Sequence, residues 1–221
     1  MTGSHTPITQ RPGSLYRLMF CFFVYVLLFS EWVNLKLPQG TWVSWVYNPQ
    51  IFFLIASLFL YRLSRDTDKT LPRRNLYYWC LVAFSLGSLI YIVMFALHLV
   101  LSGTQGLQPL SRISVSTQAW IFLLILAPVS EELFFRGIVF RVLQRQNGLW
   151  LGMIFSTLLF MATHSGLFLG TFSLGLITCW MTHQSGSILP AMIFHALSNG
   201  LVTFAHNMAP NLGAIKAFIF F

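Results

Sequence analysis

The sequence predicts an all-α protein, a polytopic transmembrane helix bundle of about seven to eight spans. Three observations carry that expectation. Hydrophobic residues make up 56% of the 221 residues and charged residues only 8%, against roughly a quarter charged in soluble domains. The mean hydropathy is +0.72. The apolar residues also gather into runs approaching the length a bilayer needs, separated by polar or basic stretches.

Taken in order, residues 1–14 are polar and contain Gly and Pro, which predicts a disordered tail ahead of a single transmembrane domain over residues 15–221. The first apolar run, about Leu15 to Val33, follows Arg11 and Arg17 and has no small-residue cleavage site after it, so it reads as a signal anchor. Residues 34–50 carry Trp42, Trp45 and Tyr47 and read as interfacial. A second span is expected over Ile51 to Leu63 and a third over Leu76 to Leu101, with Arg62, Arg65, Lys69, Arg73 and Arg74 between them. After a stretch rich in Ser, Gly and Gln, the fourth begins near Gln118 and continues to Gln144. The fifth covers Leu149 to His164, the sixth Leu167 to Met181 and the seventh Ile188 to Phe204. A last apolar piece, Leu212 to Phe221, is too short to cross unaided.

The formal charge of +8 does not point to nucleic acid, because the basic residues form no single stripe and sit between apolar runs. Sorted by side, Arg11, Arg17, Arg62, Arg65, Lys69, Arg73, Arg74, Arg141 and Arg145 fall together, and only Lys36, Arg112 and Lys216 oppose them. That bias orients the N-terminus toward the cytoplasm, in a multi-pass protein of the cell membrane. Cys21, Cys80 and Cys179 lie in apolar stretches without metal-like spacing and read as buried small hydrophobes.

Among only five acidic residues, Glu131 and Glu132 are adjacent in the middle of an apolar run. An ionised carboxylate in hydrocarbon costs several kcal/mol, so such a pair marks a polar cavity with a function. On a helix Glu132 and Arg136 are four apart with the acid first, the favourable order for an ion pair. Glu131 then points about 100° away and is left for chemistry. Downstream, His164 follows Phe160 by one turn, so the ring can brace the imidazole. His195 and Asn199 share one face of the last long span. Any one intramembrane His is most simply an interhelical hydrogen-bond residue. The catalytic core is therefore sought over about residues 118–205, where these groups recur in separate spans.

Such a cavity suits hydrolysis. A carboxylate taken out of water becomes a usable general base near neutrality, and with His164 it can hold and deprotonate a water. His195 and Asn199 can donate to the oxyanion formed on a peptide carbonyl. There is no His-Glu-x-x-His helix and no Gly-x-Ser-x-Gly elbow, and Asp66 and Asp68 lie in a basic loop. Ser130 and Ser198 read as helix hydrogen-bond partners, His98 as a packing residue, His206 and Glu31 as interfacial. His183 falls in a short polar loop and His5 in the tail.

With Glu131-Glu132-x-x-x-Arg136, Phe160-x-x-x-His164 and His195-x-x-x-Asn199 in order, the sequence resembles the CPBP family of intramembrane proteases. This is the CaaX-processing and bacteriocin-processing (Abi) group that includes the Rce-type prenyl endopeptidases. The resemblance covers about residues 118–205. It implies an all-helical fold of about eight spans and peptide-bond hydrolysis inside the membrane. It further implies catalysis by Glu131 and His164, with His195 and Asn199 at the oxyanion. The short eighth apolar piece departs from the family pattern.

Two ways of activating water fit these residues. Glu131, His164 and His195 could hold a zinc ion with Glu132 as base, or Glu131 and His164 could act without a cofactor. The second is preferred, because Asn199 beside His195 is a poor zinc ligand and a good donor. The expected function is an intramembrane endopeptidase acting on a hydrophobic, lipidated or membrane-associated peptide, with the bilayer as its other partner. The alternative is a non-catalytic immunity or scaffold membrane protein retaining the fold. A proton-coupled transporter ranks last, because inverted repeats and paired broken helices are missing from the sequence.

Overall fold

The computed structural model describes residues 19–20, 23–24, 49–64, 75–102, 117–164 and 169–208, all of them helix or short connection. The tail, most of the signal anchor, the interfacial segment, the basic loop and the piece from Leu212 to Phe221 lie outside the described residues. So do Glu31, His5 and the side chains of His98 and His206. The chain divides into two units, Met1–Pro49 and Gln50–Phe221. In the first, residues 19, 20, 23 and 24 are helical. Everything below concerns the second.

Six helices follow in order: α1 (Pro49–Ser64), α2 (Leu76–Ser102), α3 (residues 117–147), α4 (Leu149–Ala162), α5 (Leu169–Ser185) and α6 (Leu189–Met208). Their bounds fall within a few residues of those expected, because long apolar runs broken by Gly, Ser and Asn leave little choice of ends. Asn75 caps α2, accepting the Tyr78 N–H on its Oδ1 at 3.3 Å. Gly148 turns the chain from α3 into α4 at φ +82°, a conformation that favours Gly. Ser185 closes the corner between α5 and α6. Its hydroxyl donates to the Met181 carbonyl at 2.7 Å and accepts the Ser187 N–H at 3.1 Å.

α3 is not one regular helix. Its α-helical pieces Thr117–Ile121, Ala127–Phe134 and Arg141–Asn147 are joined by two π-helical turns, Phe122–Leu126 and Phe135–Phe140. Pro128 gives the first its cause. A proline inside a helix has no N–H to donate, and its ring crowds the carbonyl four residues back.

α6 packs along α2 and α5, and α4 lies against the end of α3 and against α5. One buried cluster, Ala83, Met181 and Phe194, joins α2, α5 and α6. Another, Phe140, Met153 and Cys179, joins α3, α4 and α5. Cys179 is fully buried and Cys80 half-buried, both as free thiols.

Among the described residues no helix is long and apolar enough to cross a membrane. The described helices therefore do not establish the expected count of seven to eight spans. Two of the helices depart visibly from a long apolar span. α4 is 14 residues long. α5 carries Thr171, Thr178, Thr182 and Ser185 on its buried side.

Candidate active site

The site is built where α3 crosses α4 and α6. The α-helical piece Ala127–Phe134 sets Glu132 one turn before Arg136. Arg136 Nε lies 3.1 Å from Glu132 Oε2, with both side chains fully buried. On its other oxygen, Glu132 accepts a hydrogen bond from His195 Nδ1 at 2.8 Å. The opposite ring nitrogen, Nε2, faces Glu131 Oε2 at 3.8 Å, a charge contact too long for a hydrogen bond. His195 is thus held between the two adjacent carboxylates, at 2% exposure.

Phe160, fully buried on α4, is the hub of the aromatic packing. The Arg136 guanidinium carbon sits 4.4 Å from its ring centroid. The rings of His164 and His195 lie at 4.6 Å and 5.8 Å, and that of Phe135 packs edge-on at 5.2 Å. Stacking on a desolvated aromatic face contributes roughly 2 kcal/mol to holding a cation. Arg136 needs that support: Nε meets Glu132 as an ion pair at 3.1 Å, but none of its nitrogens makes a well-aligned hydrogen bond among the described residues.

His164 lies in the turn just past α4, with Nδ1 2.9 Å from the Phe160 carbonyl. A ring nitrogen facing a carbonyl must be the one that carries the proton, so Nε2 is the basic nitrogen. Glu131 Oε2 is likewise buried with no hydrogen-bond donor among the described residues. Asn199, one turn beyond His195, donates its Nδ2 to the Leu123 carbonyl at 3.0 Å. Glu131, Glu132, Arg136, Phe160 and His195 therefore converge directly. His164 joins through the face of Phe160, and Asn199 through the first wide turn of α3.

Ser130 donates back to the Leu126 and Ala127 carbonyls, and Ser198 to that of Phe194, so both hydroxyls serve helix backbone. His183 lies in the last turn of α5 rather than in a loop, with Nδ1 2.9 Å from Gln144 Nε2. Among the described residues no three His, Cys, Asp or Glu side chains are grouped to hold a metal ion. Glu131, His164 and His195, the alternative zinc set, do not form such a group.

Two features are not legible in the sequence. Helical spacing pairs Glu132 with Arg136, whereas in the structure it also fixes His195. Ser156, buried on α4, donates to the Phe135 carbonyl at 3.2 Å, at the start of the second wide turn. Pro128 was the available signal for the first turn. A buried serine in an apolar helix carries no comparable signal.

Residues 113–201 match the family described as type II CAAX prenyl endopeptidase Rce1-like. They form an Rce1-like domain. All the converging residues fall inside it, as do both wide turns and Pro128. An uncharacterized 24.3 kDa protein of Escherichia coli is 37% identical over 78 residues, covering 32% of this chain and 36% of that protein. The match thus spans little over a third of the curated relative's length. No solved structure matches.

Proposed function

We propose that the Rce1-like domain is an intramembrane endopeptidase that hydrolyses a peptide bond in a hydrophobic, lipidated or membrane-associated peptide. The observation that carries this reading is His195 clasped between Glu131 and Glu132, with one Glu131 oxygen buried and given no hydrogen-bond donor among the described residues. A buried, unspent carboxylate oxygen is a base waiting for a proton.

Glu131 takes a proton from a water whose other hydrogen faces Nε2 of His164. The water oxygen then bonds to the scissile carbonyl carbon, and the carbonyl oxygen takes the negative charge. His195 Nε2, protonated, donates to that oxygen, and the second amide hydrogen of Asn199 can do the same. Collapse of the tetrahedral species breaks the C–N bond, and the proton on Glu131 passes to the leaving amine. Glu132 and Arg136 orient His195 and touch no substrate. Water activation needs no metal in this reading.

Membrane embedding is part of the proposal. It is supported by the large apolar side chains that α2 and α4 turn outward, among them Tyr77, Leu81, Trp150 and Leu151.

The test is Glu131→Gln, which keeps the shape and removes the base. In proteoliposomes with a fluorogenic apolar peptide, turnover is expected to fall about 10²- to 10⁴-fold. Turnover equal to that of the unaltered protein would remove the assignment. The engagement of Asn199 by Leu123 favours a second reading, a non-catalytic immunity or scaffold protein. Protection or partner binding that survives Glu131→Gln and His164→Ala would select it.

A further inference from the structure

The first wide turn of α3 leaves the Leu123 carbonyl without the N–H that either helical form would supply. In a regular α-helix the Leu123 carbonyl would receive the Ala127 N–H. Here the Ala127 N–H goes to Phe122 instead. In a π-helical turn the Leu123 carbonyl would receive the N–H of residue 128, but residue 128 is proline and has none. The orphaned oxygen is satisfied from another helix, by Asn199 Nδ2 at 3.0 Å. At the other end of the Glu-bearing piece, the Phe135 carbonyl receives the Ser156 hydroxyl.

The consequence is rotational. A π-helical turn holds one residue more than an α-turn, and one residue is about 100° of helix phase. The phase of Ala127–Phe134 relative to what precedes it therefore depends on keeping the first turn wide. That phase decides whether Glu131 and Glu132 flank His195 or face elsewhere. Asn199 sits one turn from His195 on the same helix, so pinning Leu123 also sets the carboxylates against the imidazole they must clasp.

We propose that Pro128, the Leu123 carbonyl and Asn199 form a phase lock, in which Pro128 and Asn199 are positioning residues that hold Glu131 and Glu132 against His195. Pro128 forbids the regular helix, and Asn199 accommodates the cost. Only the kinetic arm of the test below rests on the peptidase reading.

Pro128→Ala returns the missing N–H and lets the turn tighten. An interior proline is unfavourable to a helix, so this variant is expected to melt no lower than the parent. Its turnover is expected to fall at least tenfold with KM within twofold. A purely structural role for Pro128 would not separate activity from stability in this way.

Independently of cleavage, ¹⁵N-histidine-labelled protein reports the Nδ1–H of His195, assigned by its loss in His195→Gln. Pro128→Ala is expected to shift or broaden that signal. Asn199→Asp, which sets an acceptor against the Leu123 carbonyl, is expected to do the same should Pro128→Ala aggregate.

In the double variant with Asn199→Ala, the losses in turnover should not multiply, because both remove one lock. Multiplying losses would overturn the role given to Asn199. An unmoved His195 signal in both Pro128→Ala and Asn199→Asp would overturn the lock as a whole. If instead Glu131→Gln cleaves normally, the peptidase reading fails, while the His195 signal still judges the lock.

Discussion

Arg136→Met asks whether a buried charge is held by its partner or merely tolerated. Arg136 and Glu132 are both fully buried, 3.1 Å apart. Methionine keeps the length and can still lie on Phe160, so packing changes little. What is lost is the charge facing Glu132. Removing one partner of a buried ion pair costs about 3–5 kcal/mol, because the other is left uncompensated. Glu132 still accepts from His195 at 2.8 Å, which places the expected loss at the low end, about 3 kcal/mol. At this chain length about 1 kcal/mol moves the midpoint by roughly 2–4 °C, so a fall of about 6–12 °C is expected. The assay is thermal unfolding in one detergent, read by near-UV circular dichroism. The decisive comparison is Arg136→Met with Glu132→Gln, which removes both charges and is expected to regain at least half of the fall. A single variant that melts with the parent, or a double variant no better than the single, would refute the reasoning.

Three further outcomes are expected. Treating purified protein with 1,10-phenanthroline should leave turnover within twofold, and loss restored by added zinc would overturn the cofactor-free mechanism. His164→Gln should lower kcat by about tenfold or more with KM little changed, measured by initial rates in proteoliposomes, because the base loses its partner but the substrate contacts remain. Gly152→Ala should destabilise by about 1–3 kcal/mol in a melt, since overpacking has no outlet there. A Cβ at that position would lie 2.7 Å from the backbone N and Cα of Gln144, atoms that cannot rotate away.

How far this arrangement was legible in the sequence depends on whether an interaction is local. The pairing of Glu132 with Arg136 and the bracing of His164 by Phe160 both follow from one turn of helix. Both appear, at 3.1 Å and at 4.6 Å between ring centroids. The grip of Glu132 on His195 was not legible, because those residues are 63 apart in the chain. Their meeting depends on the phase of α3 after an irregular turn. Counting 100° per residue assumes a regular helix, and Pro128 breaks that assumption just before the carboxylates. Ser156 escaped for a different reason: a single hydroxyl in an apolar helix usually bonds its own backbone, as Thr178 does to Leu174 at 2.7 Å.

The same irregularity explains why so many polar groups can sit together in so apolar a bundle. A regular helix satisfies its own backbone and offers neighbours only side chains. The first widened turn leaves the Leu123 carbonyl to be answered from α6, and at the start of the second the Phe135 carbonyl accepts the Ser156 hydroxyl of α4. Those two bonds bracket the piece that carries both carboxylates. The side chains within it are held in series, Arg136 to Glu132, Glu132 to His195 and His195 toward Glu131. In that series Glu131 Oε2 and Glu132 Oε2 both lack a hydrogen-bond donor among the described residues, but Glu132 Oε2 faces the Arg136 charge at 3.1 Å and Glu131 Oε2 ends the series. Were the turns regular, the series would have no fixed orientation toward α6, and the buried charges would bring their desolvation cost without a geometry to use it. The irregular helix is therefore the condition under which the acidic pair is both affordable and aimed.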